Sequence, residues 1–243
     1  MKKVLSILFL LIFTMCLGGC NYEPIKYYED EYFRYTDRVY AEEEWIYLTG
    51  FTKRGLEQEI LIIPSEFNGK KVRIGTTSIV GSLVIFSSEH LKKIYLEEEL
   101  TNYGSLDPSI YDIKIIHLSG NKNIPVRPSD GDFYVNREAY ERSPLSKVYP
   151  ANVSYKWNYE EAPNSGYYWI DDYYNEIISY IPTNPIREGY IFDGWYKEPE
   201  CINKWDFDND IVPGTEWEFI TQSPHKTLVK YQETILYAKW VEC

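Results

Sequence analysis

Apolar and polar positions divide the chain into segments of different texture. Met1-Lys2-Lys3 is basic, residues 4–17 are apolar apart from Ser6 and Thr14, and Leu17-Gly18-Gly19-Cys20 closes the run with small residues. These are the parts of a secretory signal. The run is short for a membrane span, which takes about 20 residues. From Trp45 onward, short apolar runs alternate with turn residues. Ile60-Leu61-Ile62-Ile63 stops at Pro64, Asn68-Gly69 makes a turn before Val72, and further runs lie at residues 83–86, 91–96 and 113–118. Runs of this length between turn signals predict strands. The pattern breaks at Pro125, Pro128, Ser129, Asp130 and Gly131, residues 137–143 could form a short helix, and Pro144 and Pro150 bracket a last run. A domain boundary is expected near 145–150, with the first domain at 45–145 and the second at 146–243.

Spacing adds a second inference. Leu91 and Ile113, Ile94 and Ile116, and Leu96 and Leu118 are each 22 apart, and a further step back reaches Gly69, Val72 and Ile74. A period near 22 predicts a stack in which each unit gives one short strand to a common sheet. In the second domain the period is two. Tyr190 and Phe192 fall on one face of a strand, and Leu236, Ala238 and Trp240 repeat the alternation on the last strand. Gly189 turns the chain into the first of these strands, and Gly194 permits a bulge that re-aims Trp195.

Composition and charge narrow the functional classes. Aromatic residues make up 17% of the chain and tyrosines number 24, enough to build a core and aromatic contact surfaces. The formal charge is -12; without Lys2 and Lys3 there are 23 basic against 37 acidic residues, about -14. A surface so acidic repels nucleic acid and anionic lipid headgroups, so no nucleic-acid partner is expected. Residues 20–44 are acidic and rich in tyrosine. They read as a tether, although the same aromatics fit a first strand or two capping the next domain. Besides Cys16 and Cys20, the chain holds Cys201 and Cys243, between which a disulfide is permitted outside a cell.

Three resemblances follow from these residues. Leu-Gly-Gly-Cys resembles the lipobox of bacterial lipoproteins, which implies cleavage after a signal peptide at 1–19 and covalent lipid on Cys20. Two or more acyl chains suffice for stable anchoring. Ile-Pro-Ser-Glu-Phe-Asn-Gly-Lys-Lys-Val-Arg-Ile-Gly at 63–75 resembles the leucine-rich repeat of bacterial surface proteins, one residue short between Val72 and Ile74. The segment from Pro182 resembles the internalin-type B repeat, also called the Listeria–Bacteroides repeat. Its fixed positions are met at Pro185, Arg187, Gly189, Tyr190, Phe192, Gly194, Trp195 and Tyr196, then at Trp205, Asp206 and Phe207, and finally at Leu236, Tyr237, Ala238 and Trp240. This resemblance spans roughly residues 147 to 241 and implies a small β-grasp-like domain in which these residues are core and turn. The expected fold class is therefore mainly β, a short leucine-rich-repeat-like domain followed by a β-grasp-like one.

Catalytic chemistry has no comparable signal. His90, His117 and His225 are widely spaced, and no metal pair, nucleophile elbow or phosphate-binding glycine loop stands out. Asp206-Phe207-Asp208-Asn209-Asp210 resembles calcium-loop spacing only superficially, since it lacks the glycine and the terminal acid. No metal, cofactor or enzymatic activity is expected. The expected role is recognition or adhesion on the outer face of a bacterial cell membrane of Gram-positive type, toward an extracellular protein or glycan. Carbohydrate binding and an envelope-spacing role are the alternatives.

Overall fold

The computed structural model describes residues 26–40, 43–74, 84–85, 88–97, 106–107, 113–118, 133–142, 148–214, 218–222, 225–230 and 232–243. The signal segment, Cys20, and Leu83 and Phe86 lie outside these residues. The fold is mainly β. Strands β1 (Tyr27–Glu29), β2 (Phe33–Tyr40) and β3 (Glu43–Phe51) form a meander, and a helical turn, α1 (Lys53–Leu56), leads to β4 (Ile60–Ile63), β5 (Glu66–Phe67) and β6 (Lys70–Ile74). Next come β7 (Val84–Ile85), β8 (Lys93–Leu96), β9 (Leu106–Asp107), β10 (Lys114–His117), β11 (Phe133–Val135), helix α2 (Arg137–Arg142) and β12 (Val148–Pro150). The C-terminal part holds β13 (Val153–Lys156), β14 (Tyr167–Asp171), β15 (Glu176–Ile177), β16 (Tyr190–Tyr196), β17 (Ile211–Val212), β18 (Glu218–Gln222), β19 (His225–Lys230) and β20 (Thr234–Glu242).

Strands β4, β8, β10, β11 and β12 stack in chain order as a parallel ladder. Parallel strands covered on both faces read as continuous apolar runs, and Ile60-Leu61-Ile62-Ile63 is such a run. Leu61, Ile63, Ile94, Leu96, Ile115 and Phe133 point into the main core, where they meet Ile46, Leu48, Val72 and Ile74 of the second sheet. That sheet runs β1-β2-β3-β6-β5. Beneath it, Thr52 fastens the meander to α1: its hydroxyl donates to the Glu31 carbonyl at 2.7 Å and accepts from the Gly55 N–H at 3.1 Å. Gly55 lies so close to this crossing that a Cβ there would stand 2.2 Å from the Tyr32 carbonyl oxygen.

Three expectations are corrected. First, of the two readings of residues 20–44, tether or first strands, residues 27–40 take the second. They form β1 and β2, and Phe33 and Tyr35 are buried in the main core because an aromatic pair on the inner face of a meander can cover a core edge. Second, the ladder pairs Ile94 with Ile115 and Leu96 with His117, 21 residues apart rather than 22. A slip of one residue exchanges the two faces of a strand, so Ile116 and Leu118 lie on the face opposite Ile94. A spacing of 22 does hold between β7 and β9, where Val84 pairs with Leu106. Val72 and Ile74 belong to β6, which pairs with β3 and β5 and not with the ladder. Third, the ladder continues to Pro150, and the next sheet begins at Val153. The junction therefore falls at Ala151-Asn152, later than 145/146.

The C-terminal sheet runs β14-β13-β20-β16, with a parallel central pair, β13 and β20, and antiparallel flanks. Its edge strand β14 returns onto the ladder face that points away from the main core. Tyr95, Ile116, Tyr167, Ile170 and Ala151 form the buried centre of that contact, with Ile60, Ile62, Tyr134, Trp169 and Tyr180 around it. The ladder is thus enclosed between its companion sheet and the C-terminal domain.

Candidate functional site

The motif residues of the C-terminal domain gather on the inner face of its sheet. The pairing of β16 with β20 shifts between Phe192 and Gly194, so that Asp193 is the extra residue of a bulge and Gly194, at φ +115, carries the kink. The shift brings Phe192 and Trp195 onto one face although they are three residues apart, and their ring centroids are 5.1 Å apart. Trp195, Trp205, Leu236 and Ala238 are buried there, with Phe192, Phe207 and Trp240 packed around them. The backbone N–H of Trp205 donates to the Trp195 carbonyl at 2.8 Å. On the outer face, Tyr196 pairs with Tyr237, and its hydroxyl donates to Asp193 at 3.2 Å. Pro185 is buried, and the Gly189 carbonyl accepts from the Cys243 N–H in the turn before β16.

Arg187 is the motif residue with the most to offer a partner. Its guanidinium lies 3.7 Å from the Tyr190 ring centre, 4.2 Å from that of Tyr159 and 5.9 Å from that of Trp240. Trp240 in turn stacks on Trp157 at 6.2 Å and 13°, and its indole N–H donates to the Trp157 carbonyl at 2.6 Å. All five side chains are half-buried. A cation among aromatic faces gains about 0.5–2 kcal/mol according to its solvation, which fixes Arg187; the two indole N–H groups are taken, that of Trp157 by the Tyr167 carbonyl at 3.1 Å and that of Trp240 by the Trp157 carbonyl, so the donors left to a partner are those of the guanidinium. Such an arrangement can stack on a planar or sugar-like surface and donate hydrogen bonds beside it. Tyr159 was not singled out in the sequence, and Trp157 was read only as the end of a strand; both lie before the fixed motif positions, which start at Pro185, and no fixed spacing ties them to these.

A second cluster, also missed, joins the two domains. Lys93 Nζ meets Asp171 Oδ1 at 2.7 Å, donates to the Asp172 carbonyl at 3.1 Å and lies 3.5 Å from the Tyr173 ring centre. Lys114 meets Asp172 Oδ2 at 2.6 Å, and the Tyr95 hydroxyl donates to Asp171 Oδ2 at 2.7 Å. Asp171 is fully buried, and the Lys93 side chain is 13% exposed. Burial pushes the Asp172 carboxyl above the usual carboxylate range, against the opposing pull of Lys114. Burial likewise pushes the Tyr95 hydroxyl far up, with the Asp171 charge adding to it. The signal in the sequence was the recurrence of Lys-Ile at Lys93 and Lys114, together with the Asp171-Asp172 doublet ending an aromatic strand. Five polar groups, all but Lys114 buried or nearly so, satisfy one another and make a clamp.

Other expected positions resolve simply. Cys201 and Cys243 are free thiols. The Cys201 sulfur lies 3.8 Å from the Ala238 carbonyl, while Cys243 is five residues beyond Ala238, just past the end of β20, about 17 Å at about 3.4 Å per residue. A disulfide needs Cα atoms within about 7 Å, so the bridge that the sequence permits is not made. His117 is 1% exposed and faces the main core at the level of Leu96. Asp206 accepts from the Asp208 N–H and from Asn209, and Asp210 accepts from the Asp206 N–H and from Lys197, so both carboxylates tie a turn. Among the described residues no group of histidine, cysteine and acidic side chains is arranged to hold a metal ion.

A four-stranded mixed sheet with a bulged aromatic edge strand defines the class of the C-terminal domain. Residues 152–220 match the family model of the Listeria-Bacteroides repeat domain. The chain is also similar to internalin H of Listeria monocytogenes serovar 1/2a (strain ATCC BAA-679 / EGD-e), 42% identical over 60 residues, which is 25% of this chain and 10% of the internalin. The match therefore spans about a tenth of that relative. No solved structure matches the chain. The family match ends at 220, whereas the sheet is closed by β20, after the β18–β19 hairpin.

Proposed function

We propose that this protein is a non-enzymatic recognition module displayed on the outer face of a bacterial cell membrane and held there by lipid on Cys20. The observation that carries this reading is the match to the Listeria-Bacteroides repeat domain at 152–220, beside the similarity to a Listeria internalin, in a domain with a half-buried aromatic and arginine face. The parallel ladder before it is, in this reading, a short leucine-rich-repeat stack. Its outer face, the surface that such stacks offer to partners, is spent on holding the repeat domain. Recognition then falls to the repeat domain and to the ladder's margins. Lipid anchoring is tested by Cys20→Ala: release from the membrane fraction with loss of lipid mass supports it, and unchanged retention overturns it. Recognition is tested by cross-linking on whole cells with the wild type and Tyr159→Ala. A partner recovered with the first and lost with the second supports the reading.

The aromatic face also favours a second reading, carbohydrate binding. Sugar rings stack on Tyr and Trp faces, and Arg187 stands among such faces at Tyr159 and Tyr190. A glycan array separates the two: specific binding lost in Tyr159→Ala selects a glycan, and silence there with a cross-linked protein on cells selects a protein partner. An envelope-spacing role predicts neither.

A further inference from the structure

We infer that the first rung of the ladder is a strand-addition site for an extended, cation-bearing peptide segment of a partner. Among the described residues, strand β4 is the edge of its sheet and pairs only with β8. The Lys93 N–H donates to the Glu59 carbonyl and the Glu97 N–H to the Ile63 carbonyl. Since the groups of a parallel strand alternate in direction, Glu59, Leu61 and Ile63 face β8, and the N–H and C=O groups of Ile60 and Ile62 face outward. They open on a groove of about 530 Å³ that is walled by Tyr32 of the N-terminal meander on one side and Tyr180 of the C-terminal domain on the other. An apolar edge with free backbone groups is a template for another strand, and folded proteins usually blunt such edges with shortness, charge or proline; β4 has only the first, at four residues. The opposite end of this ladder has more protection: β12 ends in Pro150 and lies against α2. Strand β4 carries neither a charge nor a proline.

Charge selects the occupant. The groove is lined by Glu57 and Glu59 and by no cation, in a chain of formal charge -12. Glu59 is bound by Lys92 at 2.9 Å, whereas Glu57 makes no ion pair among the described residues. A second copy of this chain, pairing edge to edge, would bring two acidic rims together. A lysine- or arginine-bearing segment would instead add main-chain hydrogen bonds at Ile60 and Ile62 and set a cation beside Glu57. Main-chain pairing supplies affinity in this mode, and side-chain pockets supply specificity. This deepens the recognition reading by naming a partner class, and its test does not depend on the whole-cell experiment.

The full chain is titrated with a blocked, fluorescent decapeptide of alternating valine and lysine, and binding is read by anisotropy. The same peptide N-methylated at alternate residues, which cannot form one hydrogen-bonded edge, is expected to bind at least about tenfold more weakly, and so is the valine–glutamate counterpart. Ile62→Pro removes an outward N–H that the ladder does not use, and it is expected to abolish binding while the circular dichroism stays native. Glu57→Lys should weaken binding about tenfold, and Glu160→Lys, an equal charge change on a distant exposed turn, much less. Equal binding of the plain and N-methylated peptides, equal effects of the two charge changes, or no binding at millimolar peptide would each overturn the proposal. The N-methyl comparison leaves the protein untouched, so it decides even if Ile62→Pro fails to fold. Sedimentation of the full chain showing a dimer that Ile62→Pro abolishes would assign the edge to a second copy and overturn the basic-peptide occupant.

Discussion

The two faces of the parallel ladder are made from the same strands of three or four residues and do different work. The inner face, carrying Ile63, Ile94, Leu96, Ile115 and Phe133, is aliphatic and aromatic, and it packs on a sheet that the chain has already formed. The outer face carries Lys93, Tyr95, Lys114 and Tyr134, and it meets a domain that comes later in the chain. Apolar contact is non-directional, so it can build a core but tolerates sliding. Buried ion pairs and hydrogen bonds stabilise only one register. The difference teaches that the ladder uses hydrophobic burial to exist and buried polar groups to choose how the C-terminal domain sits on it.

Substitutions on the two faces should therefore fail differently. Lys93→Met leaves the fully buried Asp171 without its cation, and breaking a buried pair from one side costs about 3–5 kcal/mol. Urea unfolding should show that loss, and hydrogen exchange should show deprotection along β14 while β10 and β11 keep theirs. A loss below about 1 kcal/mol would mean that the domains are not docked through this clamp in solution. Ile94→Ala, on the inner face, removes buried volume next to Leu61 and Ile115 and should cost about 3 kcal/mol. Its exchange signature should be the reverse, with the ladder amides losing protection first. The same pattern for both variants would erase the distinction between the faces.

The sequence disclosed the C-terminal domain better than the ladder, and the reason is physical. Gly194, Trp195 and Trp205 each meet a demand that few other residues satisfy: a backbone at positive φ, a bulge that turns a ring inward, and a large ring to fill the space. Their spacing is therefore legible on its own. In the ladder, Ile94, Ile115 and Ile116 are chemically interchangeable, so an offset of 22 between β8 and β10 fits nearly as well as the observed 21, and only the neighbouring rung decides which side chain turns inward. The tyrosines of β1 and β2 showed the same ambiguity, since Tyr35 is a core residue and Tyr27 an exposed one in the same acidic stretch. The clamp was hidden because its partners, Lys93 and Asp171, are 78 residues apart. Likewise, no short motif announces that Tyr159 will lie beside Arg187.

A milder change sharpens the contrast within one residue. Tyr95 contributes its ring to the interface, stacking on Tyr180 at 5.4 Å and lying 4.7 Å from Trp169, and its hydroxyl to Asp171. Tyr95→Phe keeps the ring and removes one hydrogen bond to a charged group, about 1.5–3 kcal/mol. The expected outcome is a stability loss nearer the lower end, because Lys93 still holds Asp171, with the emission of Trp169 little changed. An effect as large as that of Lys93→Met would show that the hydroxyl, and not the ammonium, is the main partner of Asp171.

The smallest expected effect concerns pH and comes from Asp172. Its carboxyl is pushed up by burial more than Lys114 pulls it down, so the folded chain holds this proton more tightly than the unfolded one. Below the ordinary aspartate value, about 3.9, both states are protonated and this contribution to stability is complete. As pH rises, the unfolded chain ionises first, and the contribution is lost as pH passes through the higher folded value. Asp172→Asn has no carboxyl to ionise and should remove this component, so the difference in stability between the two proteins should change in favour of the variant from about pH 4 upward. Urea unfolding of both proteins in steps across that range measures it. A difference that moves the other way would mean that Lys114 outweighs burial and that Asp172 is held as a full ion pair. The outer face of the ladder would then be bound by two charged pairs of equal rank, rather than by one strong pair at Lys93 and Asp171 with a strained neighbour.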